Sequence, residues 1–293
     1  MTALPFRQVD VFTAVPYMGN PVAVVLDGNG LSSDRMQAIA NWTNLSETTF
    51  VCTPTQAQAD YRLRIFTPKS ELPFAGHPTI GSAHAALAHG LKPKQPGRLV
   101  QECGKGLVQI HVDGERLFLE LPPPRLSEVS AARAAELASS LGIAAGSVGA
   151  AAVVDVGVVW ITLQLTDAGM VRGLRPDFAR IGALTPSGIA GVTVFGLYGA
   201  GHQPQLEVRS FAPAEGIAED PVCGSGNGCV AALIRRERLI SGSSYVAGQG
   251  QCMGRDGRVE VRYAADGTIW LGGHAVTCVQ GTLAAEDGER TGT

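Results

Sequence analysis

A chain of 293 residues, 45% hydrophobic and 17% charged, holds enough apolar material for substantial cores and suits two domains of ordinary size. Its formal net charge of −3, with no cluster of Lys and Arg, argues against nucleic acid or an anionic membrane as a partner. Met1–Asp10 lacks the apolar core of a signal peptide, and no run of about 18 apolar residues occurs, since Val148–Leu165 contains Asp155. The expected location is therefore the cytoplasm. Cys52, Cys103, Cys223, Cys229, Cys252 and Cys278 form no Cys-x-x-Cys pair and read as free thiols. All but Cys223 are expected to be buried apolar fillers.

In chain order, Phe6–Thr13 and Pro21–Leu26 are β-branched runs about Tyr17-Met18-Gly19-Asn20, which predicts two strands and a turn. Leu31-Ser32-Ser33-Asp34 offers capping oxygens, and Met36, Ile39, Ala40 and Thr43 recur at helical spacing, so a helix is expected to about Asn44. Glu47 stands where this helix gives way to a strand. Tyr61, Leu63, Ile65 and Thr67 alternate along the next strand. Gly81–His89 reads as a helix stopped by Gly90. Arg98–Cys103, Gly106–Val112 and Arg116–Leu121 form a meander, turned at Asp113-Gly114. Pro122-Pro123-Pro124 sets the expected boundary between a first domain, 1–124, and a second, 125–274.

The second domain repeats the plan. Ala131–Leu141 is a predicted helix stopped by Gly142, Ala152–Leu165 one long strand or two, and Pro176–Ile181 a short helix. Val192–Tyr198 and Gln205–Phe211 are predicted strands, and Tyr245–Met253, Arg258–Tyr263 and Thr268–Leu271 a second meander. A last strand within 275–283 is expected to return to the first domain, and the charged, Gly-rich tail after Ala284 to fray.

One motif occurs twice. Glu71-Leu72-Pro73-Phe74-Ala75-Gly76-His77-Pro78 follows Arg64-Ile65-Phe66-Thr67-Pro68, and Glu219-Asp220-Pro221-Val222-Cys223-Gly224-Ser225-Gly226-Asn227-Gly228 follows Arg209-Ser210-Phe211-Ala212-Pro213. Each opens an apolar helical run, and the offset of roughly 150 residues indicates a duplication rather than a solenoid. Glycine lets the backbone approach a ligand, and the free amides of a helix's first turn face whatever lies before them. The expectation is two α/β domains whose helix starts hold a small anion in the cleft between them.

The chemistry-bearing residues in and near the motifs suggest roles. Glu47 can serve as a base if burial raises its pKa, or as a plain helix-end acid. His77 can orient or relay a proton, or cap a helix. Asp220 can bind an amine, fix the His77 tautomer, or only stabilise a helix start. A thiol at Cys223, ahead of a helix, is expected to fall from about 8.5 towards roughly 3.5–7.5 and to act as acid, base or nucleophile. Ser225 and Asn227 suit capping and ligand hydrogen bonds. Gly224-x-Gly226-x-Gly228 is not a dinucleotide spacing, no P-loop Lys follows it, and no His/Cys spacing suggests zinc.

Asp10-Val11-Phe12-Thr13, Gly19-Asn20-Pro21, Leu45-Ser46-Glu47-Thr48, Phe66-Thr67-Pro68, Gly76-His77-Pro78 and Glu219-Asp220-Pro221, in this order, resemble the PhzF-like family, named for a phenazine-biosynthesis isomerase. The resemblance covers nearly the whole chain. It implies the diaminopimelate-epimerase-like fold: α/β (α+β), two pseudo-symmetric domains, each a curved, mostly antiparallel sheet or barrel around a central helix. It also implies cofactor-independent acid/base isomerisation, a small carboxylate-bearing substrate and a homodimer. Carried over by position, Glu47 shuttles the proton, with His77 and Asp220 beside the substrate. Asn20, Ser225 and Gly226 bind it, and Gly76 and Gly224 present backbone amides.

After Glu-Asp-Pro-x the family carries Thr and then Gly-Ser-Ala, whereas this chain has Cys223-Gly224-Ser225-Gly226. That spelling resembles the catalytic-cysteine motif of diaminopimelate epimerases and proline racemases, which use two cysteines; the matching first-half position is Ala75. Four readings stay open: a PhzF-like isomerase, a cysteine-using epimerase or racemase, a thiol hydrolase built on Cys223, His77 and Asp220, and a non-catalytic carboxylate-binding protein.

Overall fold

The β-branched run that opens the chain forms β1 (Ala3–Val11), and β2 (Asn20–Val25) returns antiparallel to it with Asn20 opposite Val11. The computed structural model describes residues 3–284, so the expected fraying after Ala284 lies outside the described residues. The described residues divide into two compact units: residues 3–119 together with 274–284, and Glu120–Gly273.

In the first unit, α1 (Ser33–Thr43) begins at Ser32, whose hydroxyl accepts from the Arg35 amide, and ends at Asn44 in the left-handed conformation. β3 (Thr48–Cys52) runs parallel to β2; β4 (Tyr61–Phe66) is antiparallel to β3, and the short β5 (Glu71–Leu72) folds back on β4. α2 (Gly76–Ala88) follows. β6 (Arg98–Cys103) is parallel to β4 and continues through β7 (Gly106–Asp113) into β8 (Arg116–Glu120) as an antiparallel meander. Helix α2 packs against β1, β2, β3 and β4, and nine of its 13 residues are buried, which makes it the axis about which the sheet curls. Its start lies five residues ahead of the predicted Gly81. Pro78 conceals that turn in the sequence, yet a first-turn proline loses no intrahelical bond.

The second unit repeats the order. β9 (Arg125–Glu128) pairs with β10 (Val148–Asp155), and α3 (Ala131–Ser140) lies between them in sequence. β11 (Val159–Leu165) is antiparallel to β10; α4 (Ala168–Gly173) and α5 (Phe178–Leu184) lead to β12 (Gly191–Leu197), parallel to β11. β13 (Leu206–Ala212), the short β14 (Ile217–Asp220), α6 (Gly224–Glu237), β15 (Ser244–Gln249), β16 (Gly257–Tyr263) and β17 (Ile269–Ala284) complete it. β15 is parallel to β13, as β6 is to β4. α6 packs against β10, β11, β12 and β16 and buries nine of its 14 residues. Each unit is a mostly antiparallel sheet curled around one helix, an α+β arrangement.

The duplication extends to side chains. Arg64 makes a two-pronged contact with Glu71 at 2.8 and 2.7 Å and lies over the Phe66 ring at 5.1 Å. Arg209 does the same with Glu219, at 2.8 Å for both prongs, and lies over Phe211 at 5.1 Å. The first pair is half-exposed and contributes at most about 1 kcal/mol; the second is buried, where loss of one partner would strand a charge.

Several details depart from expectation. The strand predicted over Tyr245–Met253 ends at Gln249, because the backbone turns through Gly250 at φ 100° into a short 3-10 turn, Gln251–Met253. The two last predicted strands are one, β17. Cys103 and Cys229 are buried as expected, but Cys52 and Cys278 are half-buried and Cys252 is exposed. Cys252 sits in the 3-10 turn, and Cys278 falls where the β1–β17 register shifts, opposite the Gln8/Val9 step, so neither is directed into a core.

Gly81 marks the closest approach of α2 to its sheet: a Cβ there would meet Val22 Cγ1 at 2.4 Å and Val11 Cγ2 at 2.9 Å. Both neighbours are stiff β-branched side chains. Gly81→Val should destabilise the protein by about 1–3 kcal/mol through overpacking, read as a lower urea midpoint with an unchanged slope.

Candidate active site

Two clusters of polar side chains stand at the starts of the two central helices, one in each unit. In the first, the α1–β3 junction places Glu47 one residue before β3, where its carbonyl accepts from the Ala23 amide of β2 at 3.4 Å. His77 is the second residue of α2. Its Nε2 lies 3.3 Å from Glu47 Oε2, and the two side chains are 9% and 15% exposed. The contact is in charge range, yet Nε2 forms no aligned hydrogen bond among the described residues. Burial lowers the His77 imidazole to about 4, partly countered by a hydrogen bond to the Pro21 carbonyl. Asn20, next to Pro21, is fully buried at the start of β2.

Gly76 is the first residue of α2, and its N-cap, Ala75, supplies no side-chain capping bond. A Cβ on Gly76 would meet nothing closer than Leu119 Cδ1 at 4.0 Å, so the fold leaves room at this amide. A buried chain of polar groups braces the same helix turn. Tyr61 Oη donates to Gln101 Oε1 at 2.8 Å, Gln101 Nε2 to Thr79 Oγ1 at 3.1 Å, and Thr79 Oγ1 to the Ala75 carbonyl at 2.8 Å.

In the second unit Asp220 ends β14, and its Oδ1 accepts from the Val222 amide at 3.0 Å. Cys223 is the N-cap of α6, with its Sγ accepting from the Gly226 amide at 3.2 Å and lying 3.6 Å from Ser225 Oγ. Ser225 Oγ accepts from Trp160 Nε1 at 3.0 Å. Gly224 opens the helix and is half-exposed. The Gly226 amide is committed to the cysteine sulfur, and a Cβ at Gly226 would sit 2.6 Å from Ser210 Oγ, so close packing accounts for this glycine.

Burial pushes the Asp220 carboxyl up to about 6, against the pull of the Val222 amide and the Cys223 thiol. The Cys223 thiol is raised well above its ordinary value, by burial first and by the neighbouring Asp220 charge second. The expected lowering is thus reversed. A helix N-terminus favours a thiolate, but with the side chain 3% exposed beside a carboxylate, desolvation and repulsion win.

Of the residues expected around one substrate, the structure brings Glu47 to His77, and Asp220 together with Cys223, Gly224, Ser225 and Gly226 at the start of α6. Sequence reasoning missed Trp160, Gln101 and Gln249. The glutamines carry a signal: Gln101 follows Gly76, and Gln249 follows Gly224, by the same 25 residues. Among the described residues no group of three or more His, Cys, Asp or Glu is placed to hold a metal, and no helix is long and apolar enough to cross a membrane.

The two shifted groups act oppositely on stability. His77, lowered to about 4, stabilises the fold fully above its ordinary range near 6.5, and that contribution is lost as pH falls through about 4. Asp220, raised to about 6, contributes stability fully below about 4 that is lost as pH rises through 6. Between pH 4 and 6 the two trends offset. Asp220→Asn should therefore show stability rising more steeply with pH across this window than the wild type, by up to about 1.4 kcal/mol per pH unit. Urea midpoints at pH 4.5, 5.5 and 6.5 measure this, and parallel profiles for the two proteins would contradict it.

Comparison with known proteins agrees with this fold. The family model described as phenazine biosynthesis-like protein, PhzC-PhzF, matches residues 9–281. The chain is 40% identical to "Antisense-enhancing sequence 1" of Schizosaccharomyces pombe, over 96% of this chain and 99% of that protein. It is 36% identical to the trans-2,3-dihydro-3-hydroxyanthranilate isomerase of Pseudomonas aeruginosa, over 87% of this chain and 88% of that enzyme. In three dimensions it superimposes on the crystal structure of a PhzF-family phenazine biosynthesis protein of Bacillus anthracis with a TM-score of 0.86, covering 97% of this chain and 100% of that one. At 24% identity that likeness shows the fold alone. The chain belongs to the PhzC-PhzF, phenazine biosynthesis-like, family and is an isomerase.

Proposed function

We propose that this isomerase moves a proton within a small amino or hydroxy acid, shifting a double bond or a stereocentre, without a cofactor. Glu47 takes the proton and returns it, His77 orients the substrate beside it, and the amides of Gly76 and Gly224 meet the substrate's negative charge. Asp220, Ser225 and Asn20 are the further polar groups proposed to bind it. The observation that carries this reading is the Glu47–His77 contact: a carboxyl 3.3 Å from a buried imidazole nitrogen that makes no aligned hydrogen bond among the described residues. With its imidazole lowered to about 4, His77 is neutral at neutral pH, so one nitrogen can accept or donate a hydrogen bond without bringing a fixed charge. Removing a proton from carbon leaves negative charge, and each backbone donor aimed at it is worth about 3–4 kcal/mol.

Solvent deuterium uptake into a panel of amino and hydroxy acids tests the chemistry without assuming a product. Uptake with at least one of them is expected, and Glu47→Gln should slow it by about 10²–10⁴-fold. Exchange at the wild-type rate in that variant would remove Glu47 from the role.

The N-cap position of Cys223 favours a second reading, a cysteine-using epimerase, although its raised thiol and the alanine at position 75 weigh against it. Cys223→Ala is expected to keep turnover within about tenfold of wild type while losing about 1 kcal/mol of stability with its cap. Complete loss of turnover in a folded Cys223→Ala protein would favour the epimerase reading instead.

A further inference from the structure

Gln249 is fully buried, and the three hydrogen bonds of its side chain among the described residues go to the segment Asp220–Asn227. Its Oε1 accepts from the Cys223 amide at 3.1 Å and from Asn227 Nδ2 at 2.7 Å. Its Nε2 donates to the Asp220 carbonyl at 2.9 Å. The Cys223 amide can only donate and the Asp220 carbonyl can only accept, so the orientation of the carboxamide is fixed by its partners. Asn227 closes the ring, since its Nδ2 also donates to the Cys223 carbonyl at 2.9 Å and its backbone amide to the same oxygen at 3.0 Å.

The turn Asp220-Pro221-Val222-Cys223 is therefore pinned at both ends by one side chain that belongs to neither the turn nor the helix. The first unit offers an internal comparison. Gln101 is also fully buried and also braces its helix, but through the Thr79 hydroxyl and not through the backbone of the motif's acidic turn. Among the described residues, a carboxamide bonded to the backbone of the turn itself occurs at the second motif and not at the first.

We propose that Gln249 is the positioning residue of the Asp220–Cys223 turn, holding Asp220 and the Gly224 amide that follows Cys223 in the orientation that substrate meets; this rests on the isomerase reading above for its catalytic consequence. Removing the clamp frees the Cys223 amide and lets the turn relax. A displacement of about 1 Å in the groups that position substrate and its developing charge costs about 100-fold in rate.

The test uses Gln249→Met, which keeps length and volume, and Gln249→Glu, which keeps the shape and an acceptor oxygen but lacks the donor to Asp220. Both are compared with wild type in two assays. The first is alkylation of each cysteine by iodoacetamide at pH 8, resolved by peptide mass spectrometry. Exposed Cys252 calibrates the reagent, and Cys229, buried in the same helix, reports general loosening. Cys223 should react at least tenfold faster in Gln249→Met and by a smaller factor in Gln249→Glu, with Cys229 unchanged. The second assay is turnover of the best exchanging substrate, where kcat should fall about 100-fold in Gln249→Met with KM changed less than threefold. An unchanged Cys223 rate, or Cys223 and Cys229 accelerating together, overturns the proposal. So does a changed Cys223 rate accompanied by wild-type kcat. If the wild type exchanges no substrate, the isomerase reading fails by itself, and the alkylation pattern still decides whether Gln249 holds the turn. Should Gln249→Met not fold, Gln249→Glu carries both assays with the same signs.

Discussion

A helix wrapped by a curled sheet has its first-turn amides and polar side chains shut off from most of the solvent, and each must find a partner or remain costly. That constraint orders both units of this protein. α2 and α6 are buried along most of their length, and the strands around them supply glutamine carboxamides and an indole to their first turns. Where partners are incomplete, chemistry gathers. Among the described residues His77 Nε2 makes no aligned hydrogen bond although it is buried beside the Glu47 carboxyl, and the α2 N-cap offers its amides no side-chain oxygen.

The duplicated plan makes the differences between the units informative. Ala75 and Cys223 occupy the same position, as do His77 and Ser225. In one unit the second helix position carries an imidazole in contact with a carboxyl; in the other a hydroxyl accepts from Trp160. The Arg–Glu–Phe geometry recurs at both motifs, so the two units share this scaffold while differing in the groups at their helix starts.

Much of the fold was legible because alternation and helical spacing are local signals. The strands about Tyr61–Thr67 and Val192–Tyr198, the α1 caps at Ser32 and Asn44, and the repeated motif were all read from neighbouring residues. The α2 start was obscured by a proline the first turn tolerates, and the β15 end by a glycine whose φ no sequence displays. At the candidate site, Glu47 and His77 were singled out through motif resemblance, but their contact and the state of Cys223 were not legible. Whether a helix end lowers a thiol or burial raises it depends on how the rest of the fold packs over it, and partners of that turn such as the Gln249 carboxamide, bonded to the Cys223 amide, lie far along the chain. Such residues are invisible to any argument from adjacency, although the equal spacing of Gln101 and Gln249 behind their helices left a trace.

Strand β17 has a consequence for biosynthesis of the chain itself. Its first part pairs with β16, while the part from Ala275 pairs along the whole of β1. On the ribosome, the unit begun first is thus the one finished last. Until the final stretch emerges, β1 waits with one open edge, a template for pairing with other nascent chains. The second unit, contiguous in sequence, can close earlier, so vectorial synthesis and completion of the fold run in opposite order.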